Sequence, residues 1–194
     1  RTIYGNLIMA AKSLDFTGSA WKVIVADNAV LDNTFTNMTA EWWVQPNFSG
    51  NSNQAILSKS DYSSSNPSVQ WAFTLHLYGT DYYTKACGFT CDSGACSGGA
   101  NNYFSNGVWA HMAWVFNGTL QKQYLYIDTT LRSTVDAPFN SYSYSNALAL
   151  WIGNDHNVGE QFTGKLDEVR IWNTARSQVE IAANWKTDLV GNES

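Results

Sequence analysis

Apolar residues at every second position, broken by clusters of Asn, Ser, Gly and Asp, set the tightest limit on what this 194-residue chain can become. An extended strand sends successive side chains to opposite faces, so this period of two marks strands that bury one face. The alternation predicts strands over residues 13–16, 22–25, 39–45, 55–59, 69–77, 108–117, 123–127, 147–153 and 165–172. The polar stretches at 47–53 and 60–68 read as turns and loops. A helical period occurs once, after Ser177, where Ser177 and Glu180 have the spacing of a capping box. Val179, Ile181, Ala182, Ala183 and Trp185 supply its expected apolar face. Many short strands and one closing helix predict an all-β fold: two antiparallel sheets packed as a sandwich, with one short C-terminal helix.

The aromatic content supports a large core: 9 Trp, 10 Tyr and 9 Phe provide ample apolar area to bury. Trp42, Val44, Trp114, Phe116, Val169 and Ile171 are the expected inward residues, each contributing about 1.5–3 kcal/mol when fully buried. For Trp43, Trp71, Trp109, Trp151, Trp172 and Trp185 packing is the favoured role over a sugar platform. Charged residues make up only 14%, so Ser, Thr, Asn and Gln must carry the surface, as in secreted β-proteins. The net charge of −5 and the absence of a basic run argue against nucleic acid. No stretch is apolar for long enough to insert as a membrane helix. No linker divides the chain. Residues 1–12 read as an N-terminal strand or exchanged segment and residues 13–194 as one domain.

All three cysteines, Cys87, Cys91 and Cys96, fall in a Gly- and Ser-rich stretch read as a loop. One disulfide and one odd thiol are expected, with the pairing open; a zinc site would need a fourth ligand. Asn37, Asn47, Asn117 and Asn192 begin glycosylation sequons. Glycan hydrolysis needs two carboxylates placed across a scissile bond. Glu41 stands alone on its strand, while Asp167 and Glu168 are adjacent and so belong to opposite faces. No nucleophile elbow is present either, so no catalysis is expected.

Several ordered segments resemble the laminin-G-like jelly-roll family, which shares its architecture with pentraxins and other concanavalin A-like lectins. They include Ser13-Leu14-Asp15-Phe16-Thr17-Gly18, Glu41-Trp42-Trp43-Val44, Ala55-Ile56-Leu57-Ser58-Lys59, Trp109 to Gly118, Tyr124 to Asp128, Leu150 to Asn154 and, most specifically, Phe162 to Asn173. The resemblance implies a jelly-roll sandwich and calcium, a cation that takes six to eight oxygen ligands. One implied site joins Asp167 to Asp15 and Gly18, although Asp167 could equally pair with Arg170 or Lys165 or cap a bulge. A second, by analogy with pentraxins, gathers Asp61 with Asn154, Asp155, His156 and Asn157, with Gln161 downstream; the same stretch suits an ordinary turn. The expected function is an extracellular, non-catalytic, calcium-supported recognition module for a glycan or another surface ligand. Its candidate contacts are Tyr78, Tyr82, Tyr83, Tyr103, Tyr142 and Tyr144. The alternative is a structural subunit of an extracellular fibre, adhesin or matrix, self-assembled through sheet edges or the exchanged 1–12 segment.

Overall fold

A computed structural model describes residues 13–18, 22–28, 31, 36–47, 53–60, 69–78, 81–90, 93–97, 105–137, 149–154 and 161–188; of residues 53, 60, 69–78, 81–90 and 93–97 it describes the backbone alone. The strands are β1 (Leu14–Asp15), β2 (Val23–Val25), β3 (Asn37–Pro46), β4 (Asn53–Ser60), β5 (Val69–Tyr78), β6 (Asp81–Thr90), β7 (Ser93–Ser97), β8 (Ala110–Asn117), β9 (Lys122–Ile127), β10 (Thr130–Asp136), β11 (Leu150–Ile152) and β12 (Gly164–Trp172). They form two six-stranded sheets, ordered β1-β12-β3-β8-β9-β10 and β2-β11-β4-β5-β6-β7. Neighbouring strands run antiparallel throughout. The fold is the expected jelly-roll sandwich with a short helix, α1 (Gln178–Asn184).

The core lies between the sheets. Met38, Ala40, Trp42 and Val44 take the inward parity of β3, beside Met112, Trp114 and Phe116 of β8 and Leu125 and Ile127 of β9 in the same sheet; Ile56, Leu57, Leu150 and Ile152 close the core from the second sheet. Trp114 is only 1% exposed, and its indole N–H donates to Gln123 Oε1 at 3.1 Å, so the ring is buried without losing a hydrogen bond. Val169 and Ile171 pack against this core from partly buried positions.

The central strands β3 and β8 of the first sheet are buried on both faces. Ala113, Val115, Tyr126 and Ile181 form a second cluster on the outer side of that sheet, beneath α1. The helix begins with the expected capping box: Ser177 accepts from the Glu180 amide and Glu180 Oε2 accepts from the Ser177 amide at 2.7 Å. Its docking face is narrower than the sequence suggested. Ile181 is buried and Trp185 half-buried, four residues apart and so on one stripe, whereas Val179 is 77% exposed and Ala182 and Ala183 face outward. Two turns of helix have room for one such stripe.

Three strands differ from the sequence reading. The cysteine-bearing stretch read as a loop contributes to β6 and β7, and β10 is an exposed edge strand lacking a buried alternation.

Phe16 and Phe162 meet edge to face at 5.9 Å where β1 leaves the first sheet. Gly153 lies against them with φ of +84°, and a Cβ there would stand 2.2 Å from the Phe16 ring. Phe16 is 2% exposed and cannot swing away. Gly153→Ala is therefore expected to cost about 2 kcal/mol or more, from backbone strain and overpacking together, read as a lowered denaturation midpoint with an unchanged slope.

Candidate functional site

Two regions collect polar chemistry. The first lies under α1, on the outer parity of β3. Glu41 is fully buried, and its Oε1 accepts from Trp172 Nε1 at 2.7 Å and from Arg176 Nη1 at 2.5 Å. Arg176 stacks over the Trp172 ring at 4.4 Å and donates on to the Glu180 carbonyl. Thr39, one residue pair along, accepts from the Arg176 amide and donates to the Thr174 carbonyl. Arg170 reaches the carbonyls of Asn184 and Thr187 and the carboxylate of Glu168. Trp43 donates to the Trp185 carbonyl and stacks on its ring at 5.3 Å.

The arginines reach these positions through a bulge in β12. Before it, Asp167 is opposite Trp43; after it, Arg170 is opposite Glu41, one residue further along than a regular ladder allows. Glu168 takes up the extra residue with φ of +52°, and its amide donates to Asp167 Oδ1 at 2.9 Å. Asp167 thus caps the bulge, one of its alternatives in the sequence. Burial, with the negative charges of Glu168 and Asp188, raises the Asp167 carboxyl above the usual range.

His111 completes this region beside Trp43 and Trp185. Burial, then the charges of Arg170 and Arg176, push its pKa down to about 3, so the imidazole is neutral. Its Nε2 lies 3.6 Å from Glu41 Oε2, too far for a hydrogen bond, and with a neutral ring the contact is no ion pair. Among the described residues, neither Glu41 Oε2 nor His111 Nδ1 has a hydrogen-bond partner. The Glu41 carboxylate is sealed from solvent and tied to an arginine, an arrangement that locks a helix onto a sheet.

The second region is a rim where the Asp15–Gly18 turn meets the roots of the segment between Gly153 and Gln161. Gln161 Nε2 donates to the Gly18 carbonyl at 3.0 Å, Phe162 N to Gly153 O at 3.0 Å, and Gly153 N to Ile56 O at 2.8 Å. Gln161 also bridges to Ala55 of β4. The two stretches that the resemblance assigned to separate calcium sites are thereby joined at one edge. Asp15 Oδ1 accepts from the Thr17 amide and hydroxyl, which lowers its pKa, and Oδ2 lies 3.9 Å from Lys165 Nζ. Asp15 is opposite Lys165, two residues short of Asp167 on the same strand, so a cation joining the two carboxylates would compete with this ammonium. Asn154 is half-buried beside Gly153. Asp61, Asp155, His156 and Asn157 lie outside the described residues, as do Tyr103, Tyr142, Tyr144, Cys91 and Asn192. No group of three or more His, Cys, Asp or Glu able to hold a metal occurs among the described residues.

Register separates the remaining tyrosines. Trp151 lies between the core residues Leu150 and Ile152, so it belongs to the outer face of the second sheet. Trp151 is opposite Ser58, Ser58 opposite Ala72, and Ala72 opposite Cys87, which places all four on that face. Tyr78 and Tyr83 share its parity and Tyr82 does not. Lys22 Nζ sits 3.4 Å from the centre of the Trp151 ring. Among the sequons, Asn37 and Asn117 are opposite one another on β3 and β8, and Asn117 Oδ1 accepts from the Leu120 amide.

The sequence reasoning missed the Glu41–Arg176 pair. Its signals were the one charged residue in β3 and an arginine directly before the helix cap. Arg176→Ala leaves Glu41 buried without its counter-ion and is expected to cost about 3–5 kcal/mol in chemical denaturation, with Arg176→Met plus Glu41→Leu losing less. The unfolded chain protonates His111 near pH 6.5 while the folded chain resists until about 3. Acid therefore favours unfolding across that window, and the stability present at neutral pH falls as pH drops through it. His111→Gln is expected to lose less stability than the parent protein between pH 7 and pH 4.

The family described as the concanavalin A-like lectin/glucanases superfamily matches residues 15–182. No curated protein matches the chain. Among solved structures, a candidate carbohydrate-binding protein of Bacteroides ovatus aligns with a TM-score of 0.65 at 18% identity, over 84% of this chain and 44% of that one. The chain thus spans less than half of that protein. A heptameric SAP-like pentraxin of Limulus polyphemus aligns with a TM-score of 0.65 at 13% identity, over 88% and 78% of the two chains. A Ruminococcus gnavus sialidase carbohydrate-binding module bound to α2,3-sialyllactose aligns with a TM-score of 0.64 at 13% identity, over 86% and 98%.

Proposed function

Because the chain belongs to the concanavalin A-like lectin/glucanases superfamily, we propose that it is an extracellular, non-catalytic module that binds glycans with calcium support. The observation that carries this reading is the register of the second sheet, which puts Tyr78 and Tyr83 on the same parity as Trp151. Aromatic rings give sugars an apolar stacking face, and polar neighbours orient the hydroxyls. The outer face of the first sheet is committed to α1 and its arginine cluster, so recognition falls to the second sheet and the rim. Similarity of fold to a module solved with sialyllactose supports the glycan reading.

Calcium support is assigned to the rim. By the likeness to pentraxins, Asn154, Asp155 and Asp61 supply oxygen donors of the kind a hard cation takes. Bound there, the ion would offer coordination positions to ligand oxygens, and Gln161 and Gly153 hold the base of the segment in either case. The Lys165 ammonium beside Asp15 makes a cation between Asp15 and Asp167 the poorer fit. An array of oligosaccharides probed with and without chelator tests the assignment. Binding weakened tenfold or more by chelator and by Asp155→Ala is expected; silence in both conditions refutes the glycan reading, and chelator-insensitive binding refutes the calcium part.

A second reading, assembly into an extracellular structure, draws on β2. It ends the second sheet in the strand order, and Ile24 and Val25 are 55% and 38% exposed. Such an edge can add a strand from residues 1–12 of another copy. Light scattering of the intact chain and of a version lacking residues 1–12 decides this: an oligomer that dissociates on deletion supports it, and monomers in both cases remove it.

A further inference from the structure

We propose that Cys87 and Cys96 form a disulfide that staples the β6–β7 hairpin at the edge of the second sheet, leaving Cys91 as the unpaired thiol. The assignment rests on register and is independent of the ligand reading. Cys87 lies in β6 directly opposite Cys96 in β7, within an unbroken antiparallel ladder from Ala86↔Ser97 to Thr90↔Ser93. Residues directly opposite in such a ladder share a face and have Cα atoms about 4.5 or 5.5 Å apart, according to which kind of pair they form. Both separations fall within the about 4.4–6.8 Å that a disulfide spans. The ladder ends at Thr90↔Ser93, three extended residues, or about 10 Å, beyond the cysteine pair. Cys91 follows Thr90 in the chain, so of the three pairings only Cys87 with Cys96 is already in register.

The location gives the bond a purpose. In the strand order β7 ends the second sheet, with β6 as its neighbour there. Small and polar residues dominate its five positions, Ser93, Gly94, Ala95, Cys96 and Ser97. A short edge strand with little apolar area gains little from burial, and a covalent tie to β6 offsets this by restricting the unfolded chain. The tie also lies on the sheet face that carries Trp151, through the row Trp151, Ser58, Ala72, Cys87 and Cys96. Formation removes two protons and two electrons from the two thiols, making one S–S bond. The electrons pass to a disulfide-exchange partner, whose own disulfide becomes two thiols.

Peptide mapping of the full chain, produced in an oxidising compartment and alkylated without reduction, tests this. Cleavage after Phe89 and before Asp92 puts each cysteine on its own peptide. The expected result is a cross-linked pair containing Cys87 and Cys96, with Cys91 alkylated. Cys91 linked to either neighbour, or all three cysteines alkylated, overturns the proposal. In variants, Cys91→Ser is expected to keep the reductant-induced fall in melting temperature that Cys87→Ser and Cys96→Ser lose. The mapping on the parent protein stands even where a variant fails to fold.

Discussion

A carboxylate with no access to water governs the outer side of the first sheet. Glu41 sits on the parity of β3 that would face solvent in a two-layer sandwich, yet it is fully buried. Burying such a charge is costly unless it is paired and hydrogen-bonded. Arg176 and Trp172 meet that requirement, and because Arg176 immediately precedes the Ser177 cap, the same pairing fixes where α1 begins. The helix then covers Ala113, Val115 and Tyr126 with Ile181. Electrostatics, the cap and apolar burial favour one docked position, a consistency between levels expected of a well-specified fold.

The β12 bulge links this outer cluster to the inner core. Leu166 and Ile171 both pack on the sandwich core although five residues separate them, an odd spacing that a regular strand sends to opposite faces. The extra residue at Glu168 restores the parity. It also sets Arg170 opposite Glu41, where its charge adds to burial in keeping the His111 imidazole neutral. One irregularity serves both layers, in keeping with the view of bulges as designed features.

Much of the fold was legible because burial writes itself into periodicity. Trp42, Val44, Trp114 and Phe116 alternate cleanly and are core, and Ser177 with Glu180 marks the helix start. The strands that escaped notice lack that imprint. β10 is exposed at most positions and follows a turn in which Asp128 and Thr129 take positive φ without glycine. β6 and β7 carry Gly, Ser, Thr and Cys, which read as loop. The site was less legible than the core for a different reason. Gly18 and Gln161 meet because of which strand ends the topology brings together, and no local pattern encodes that. The arginine lock was hidden because pairing across 135 positions leaves no periodic trace.

The closed base of the segment following Gly153 has an evolutionary consequence. Its two roots are held by backbone hydrogen bonds and by Gln161 on Gly18. Loop-closure entropy grows only slowly with length, so insertions between these roots would change little in the stability of the sandwich. Selection can therefore lengthen or rewrite the segment while the scaffold stays the same, as though it were an interchangeable cassette.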